Sequence, residues 1–78
     1  MTNEIGQKNL RKLNYFFENK ILIHFKDLSG IWFNGEIVDL SESKLVMVLN
    51  ERKKGTIPIM LEDIETNSIV EFREAKLL

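Results

Sequence analysis

Apolar residues recur at two different periods along this chain, and the change of period divides it. From Gln7 to Asn19, Leu10, Leu13 and Phe17 return every three or four residues with Phe16 beside them, while Lys8, Arg11, Lys12 and Glu18 mostly fall elsewhere. That stripe predicts a short amphipathic helix over 7–19, too short to be stable alone and therefore docked on an apolar surface. Residues 1–6 read as a frayed lead-in. From Ile21 the period is two. Ile21, Ile23 and Phe25 alternate with Leu22, His24 and Lys26, which predicts a first strand ending at the turn Asp27-Leu28-Ser29-Gly30. Ile31, Phe33, Gly35 and Ile37 then alternate with Trp32, Asn34, Glu36 and Val38 in a long second strand. Gly35 in its middle packs nothing and marks a bend or a close backbone approach. A turn at Ser41-Glu42-Ser43 leads to a third strand, Lys44 to Leu49, and a charged loop, Asn50 to Gly55, to a fourth, Thr56 to Leu61. After a short connection, Ser68 to Arg73 make a fifth strand and Glu74 to Leu78 a loose tail.

Short strands joined by tight turns, with no crossover helices, imply an antiparallel meander. The expected fold class is all-β: an N-terminal α-helix (7–19) and a strongly bent five-stranded antiparallel barrel of SH3-like shape (20–73), one domain over 1–78 with a tail at 74–78. Ile21, Ile23, Phe25, Phe33, Ile37, Leu45, Met47, Leu49, Ile57, Ile59, Ile69 and Phe72 are the expected core. Leu10, Leu13 and Phe17 should carry the helix across an open end of the barrel.

The chain has 78 residues and no cysteine, so neither a disulfide nor a thiolate metal site supports so small a core. One histidine does not anchor a zinc site by itself. Self-assembly is the support left open. The net charge is −1, but it is unevenly spread. Residues 1–26 carry a net +3 and residues 51–56 a net +2, while 27–50 and 57–78 each carry −3. An anion-binding surface should therefore use the N-terminal segment or the Arg52-Lys53-Lys54 loop. No apolar run approaches the ~20 residues that span a bilayer, so a cytoplasmic protein without a membrane partner is expected. The carboxylates are scattered, no Ser/His/acid order or glycine-rich phosphate cradle appears, and neither a catalytic activity nor a cofactor is expected.

The stretch Ile21-Leu22-Ile23-His24-Phe25 followed by Gly30-Ile31-Trp32-Phe33-Asn34-Gly35-Glu36-Ile37, with Leu40 beyond, resembles the first motif of the Sm-like (Lsm) proteins, the family of the bacterial RNA chaperone Hfq. Ile64-Glu65-Thr66-Asn67-Ser68-Ile69 resembles their second motif. The resemblance implies a homo-oligomeric ring of six or seven subunits that binds single-stranded RNA. It implies a ring closed by pairing the fourth strand of one subunit with the fifth of the next, placing Ile57, Pro58, Ile59, Ile69 and Phe72 at the interface. The family's base pocket is altered here. Ser41 stands where an aspartate is typical, Leu45 or Lys44 where an asparagine is typical, and Glu65-Thr66 where Arg-Gly is typical. Asn67 keeps the pattern, and Glu62-Asp63 occupies the stretch of a Lys-His pair.

Three functions therefore stay open: a ring that binds RNA, a structural or protein-interaction barrel that has lost the RNA pocket, and an unrelated SH3-like monomeric adaptor. If RNA binds, the expected contacts are Trp32, Lys44, Lys53, Lys54 and Asn67. Trp32 alternates away from the main core, at a position that the resemblance puts on the ring face where purines stack. Its blander role is packing against the helix or a neighbouring subunit. His24 should face outward, solvated or at a pocket edge. Arg52-Lys53-Lys54, and likewise Lys8, Arg11 and Lys12, also suit a merely solubilising surface. Pro58 cannot donate to a strand ladder, so its nitrogen must face an unpaired edge or a bulge.

Overall fold

The computed structural model describes residues 4–72. One helix, α1 (Glu4–Glu18), precedes five strands: β1 (Ile23–Lys26), β2 (Trp32–Ser41), β3 (Val46–Glu51), β4 (Gly55–Met60) and β5 (Val70–Glu71). They form one antiparallel sheet in the order β4-β3-β2-β1-β5. β4 and β5 are its two edges, and no ladder joins them among the described residues, so the sheet is open. No helix among those residues is long and apolar enough to cross a membrane. Arg73 and the expected tail at 74–78 lie outside the described residues.

Several element bounds move from the sequence expectation. The helix starts at Glu4 and not at Gln7. It ends where Ile21 N–H donates to the Phe16 carbonyl (3.0 Å) and Lys20 N–H to that of Phe17 (3.3 Å). Lys20 takes a left-handed φ of 55° to make this turn. The third strand begins at Val46 rather than Lys44, because Lys44 and Leu45 belong to the β2–β3 turn, with Leu45 at φ 53°. The expected loop at Asn50–Gly55 shrinks to Arg52, Lys53 and Lys54, since Glu51 pairs with Gly55 across a hairpin that closes on Gly55 at φ 79°. The fifth strand is short because Thr66–Ser68 forms a turn of 3-10 helix ahead of it.

β2 is the spine. Its first half pairs with β1 (Trp32 with Lys26, Gly35 with Ile23) and its second half with β3 (Ile37 with Leu49, Ser41 with Val46). Gly35 pairs with both, and a Cβ there would lie 2.2 Å from the Asn50 carbonyl oxygen and 3.0 Å from the Glu51 Cα. The close approach expected at this glycine is therefore between β2 and β3, and only a residue without a side chain permits it. The register slips between Ile37 and Asp39, leaving Val38 as a bulge that bends the strand further.

The core forms on one face of this sheet. Ile23, Phe25, Ile37, Met47, Leu49, Ile59 and Ile69 are buried as expected, with Phe33, Leu45 and Ile57 packed against them. Ile21 and Phe72 are half-buried. Leu10 and Leu13 bring α1 onto the same cluster. Leu61 and Ile64 are also fully buried, although both lie outside the strands. They sit in the β4–β5 connector, over which the helix packs.

Candidate nucleic-acid interface

Period two puts Leu22, His24 and Lys26 of the β1 region on the side of the sheet away from the core. The ladder sets His24 opposite Asn34 and Val70, and Lys26 opposite Trp32. Side chains diagonal across such a pair are within reach when they are aromatic. His24 and Trp32 use that diagonal: their rings stack with centroids 4.2 Å apart and planes 5° from parallel. The carboxamide oxygen of Asn34 accepts a hydrogen bond from His24 Nδ1. This contact fixes the ring's orientation. Phe72, whose N–H donates to the Leu22 carbonyl, brings a third ring 6.0 Å from His24.

Two cations border these rings. The Lys26 ammonium lies 5.7 Å from the Trp32 ring centre and the Arg52 guanidinium 5.4 Å from that of Phe72. Trp32 remains 47 % exposed, so roughly half of its surface is open beside the stack. Leu22 and Val70, both exposed, extend the apolar rim. The arrangement offers flat apolar rings for a planar aromatic group and two positive charges for a phosphate.

Of the other expected RNA contacts, not all join this face. Asn67 is exposed in the turn whose next residue, Ser68, hydrogen-bonds both the N–H and the carbonyl of Lys26 (2.9 and 3.2 Å). It therefore borders the same end of the sheet as Trp32. Lys54 lies on the other side, its ammonium 5.0 Å over the Phe33 ring, and Lys53 is exposed at the tip of the turn. Lys44 is exposed in the β2–β3 turn, at the opposite end of β2 from Trp32, with its N–H on Ser41 Oγ (3.2 Å). Of the residues expected at a subunit interface, Ile59 and Ile69 are buried within the subunit itself, and Ile57 is partly buried.

Pro58 is exposed on the edge strand β4, opposite Val48. Leu61 N–H donates to the Leu45 carbonyl at the adjoining step of this ladder. Hydrogen-bonded and open pairs alternate in an antiparallel ladder, so Pro58 and Val48 form an open pair. The proline nitrogen is thereby turned to the free edge, where it costs β3 no hydrogen bond.

Two buried polar side chains, unforeseen in the sequence, hold the segments around the interface. Glu51 is 5 % exposed. Its Oε2 accepts from Asn34 N–H (3.0 Å), and its Oε1 accepts from Lys53 and Lys54 N–H (2.8 and 2.9 Å). Burial pushes this carboxyl up, but the three N–H donors and the Lys54 charge outweigh it and leave it below the ordinary glutamate value. Asn9, fully buried on α1, donates to the carbonyls of Leu61 (2.7 Å) and Ile64 (3.0 Å) and accepts from Thr66 Oγ1 (2.6 Å). Thr66 is thus tied to the helix, where Lys12 Nζ also reaches its carbonyl (3.1 Å). In the β1–β2 turn Asp27 accepts from Ser29 Oγ, Ile31 N–H and Ser29 N–H, and these bonds lower its carboxyl below the ordinary range.

The chain matches no protein-family model, no curated protein and no solved structure.

Proposed function

We propose that this chain is an Sm-like domain that binds single-stranded RNA on the outer face of β1 and β2. The observation that carries the reading is the His24–Trp32 stack with Lys26 and Arg52 at its border. Base stacking on an exposed aromatic contributes about 1–3 kcal/mol per base, and flanking cations supply the salt-dependent share through counterion release. The larger π-face of a purine favours purine-rich strands.

The Sm-like reading draws support from the single leading helix, the strand order β4-β3-β2-β1-β5 and the pairing of Gly35 in β2 with both β1 and β3. In that reading the open sheet curls into a barrel. The unlike free edges β4 and β5 then join neighbouring subunits into a ring of six or seven, a heterologous contact that closes by rotation. Pro58 removes one donor from the β4 edge, so the intersubunit ladder runs through Thr56 and Met60.

Anisotropy titrations with oligo-A and oligo-U over a salt series test the RNA reading. Oligo-A should bind the tighter, with affinity falling steeply as salt rises, and Trp32→Ala should weaken it about tenfold or more. Binding absent at low salt, or indifferent to Trp32→Ala, would sink it. Native mass spectrometry tests the ring, which a 9.2 kDa monomer would rule out. A second reading, a protein-docking barrel, is favoured by the exposed Leu22 and Val70 beside the stack. It takes over if the ring forms and no RNA binds.

A further inference from the structure

We infer that Glu51 is the positioning residue of this interface: its one carboxylate sets the aromatic stack of β1 and β2 and the cationic turn of residues 52–54 in fixed relation. The functional readout rests on the RNA-binding reading, while the structural coupling can be tested without RNA.

The bonds run outward from Glu51 in two directions. One oxygen holds the backbone of Asn34, and the side chain of Asn34 holds His24, which stacks on Trp32. The other oxygen holds the N–H groups of Lys53 and Lys54 and so fixes the path of the turn. Arg52, next in the chain, donates its own N–H to the Asn34 carbonyl (2.9 Å) and places its guanidinium over Phe72. Asn34 is therefore gripped at both backbone groups by consecutive residues, Glu51 and Arg52. A buried carboxylate is tolerated where donors replace its lost water, and here those donors belong to the two elements that it joins. Glutamine cannot do the same, because it offers one acceptor oxygen and would turn an amide N–H toward another. Lys54 is the charge that attracts Glu51, and Arg52 and Glu36 line the neighbouring hollow with Leu22, Gly35 and Asn50. Each phosphate that loses its cation should reduce the salt slope of binding by about 1.

The experiment compares the full chain with Glu51→Gln, using oligo-A and the fluorescence of Trp32, the one tryptophan present. Glu51→Gln should red-shift and loosen the Trp32 signal, weaken oligo-A about tenfold and lower the salt slope by about 1. Adding Arg52→Ala to it should then cost less than Arg52→Ala costs alone. Where Glu51→Gln fails to fold, the unaltered chain carries the test by NMR from pH 5.5 downward. The amides of Asn34, Lys53 and Lys54 and the indole N–H of Trp32 should move with one shared midpoint. A folded Glu51→Gln with unchanged Trp32 emission and fully additive losses overturns the inference. So does a Trp32 indole that ignores the midpoint of the three amides. A chain that binds no oligo-A but whose Trp32 answers Glu51→Gln refutes the RNA reading and leaves the coupling intact.

Discussion

Asn9 and Glu51 do the same mechanical work at two places. Each is a buried polar side chain with three hydrogen bonds, and each fastens a segment that the strand ladders leave loose. Asn9 lies under α1 and holds the β4–β5 connector, where carbonyls need donors. Glu51 lies at the end of β3 and holds the β3–β4 turn, where N–H groups need acceptors. The chemistry follows the need. An amide that donates twice suits buried carbonyls, and a carboxylate that only accepts suits converging N–H groups. The difference is in charge. The Asn9 tie is indifferent to pH and salt, whereas the Glu51 tie depends on ionisation and reaches the candidate interface.

The most severe test separates the two by removing the ground on which one of them stands. Gly35→Ala would force β3 away from β2 at Asn50 and Glu51, since the added Cβ meets backbone that cannot turn aside. Overpacking at this level should cost about 3 kcal/mol or more, close to the whole stability of so small a domain. Urea denaturation with far-UV circular dichroism measures it. A loss under about 1 kcal/mol would mean that the two strands part easily and that Glu51 does not depend on their contact.

Asn9→Ala comes next. It removes three hydrogen bonds, leaves the Ile64 carbonyl buried without its donor and leaves that of Leu61 with the Ile64 N–H alone (3.3 Å), so about 2–4 kcal/mol should be lost. Thermal and urea unfolding at pH 7 and pH 4 should give the same loss at both. A loss that shrinks with acid would break the contrast with Glu51.

Glu51→Gln should cost less, about 1–2 kcal/mol at neutral pH, because the turn it holds is exposed. Here the sign of the pH dependence is fixed by the lowered carboxyl. A group held below its ordinary value stabilises the fold in full above about pH 4.3 and loses that contribution as pH falls through its folded value. The gap between the parent chain and Glu51→Gln should therefore narrow below about pH 4. A gap that stays constant to pH 3 would show that shape and not charge makes the tie.

The two ties also mark where the sequence stopped being informative. The periods of three-to-four and two placed α1 and all five strands, and the lone glycine of the second strand pointed to its close contact. The register that sets His24 diagonal to Trp32 was not legible. Alternation assigns both to one face without saying which residues of β1 and β2 are opposite each other. Ile64 belongs to the core, yet it sits in a connector where no period announces burial, and Leu61, expected at the end of the fourth strand, is buried just past it. Nothing in the sequence singles out Asn9, and Glu51 falls within the charged loop expected at Asn50 to Gly55, because only the tertiary fold supplies the backbone groups they serve. Val38 has no signal at all, since a bulge is a property of two strands together.

The smallest effect concerns a place where the backbone alone makes the tie. Lys20 closes α1 in the left-handed region at φ 55°, exposed, with no side-chain bond needed for the Ile21-to-Phe16 and Lys20-to-Phe17 links. A side chain in that region costs about 1–2 kcal/mol, part of which glycine gives back through the freer unfolded chain. Lys20→Gly should thus stabilise by about 0.5 kcal/mol, a rise of about 2–4 °C in Tm. Leu45 makes the same excursion at φ 53°, but its side chain packs on the core. Leu45→Gly gains the same relief and loses that packing, so it should destabilise by about 1 kcal/mol. Opposite signs at two positions of equal φ would separate a turn set by backbone geometry from one set by what its side chain holds. Stabilisation at both would mean that the contacts of Leu45 contribute little, and that the strain at both positions is the larger share.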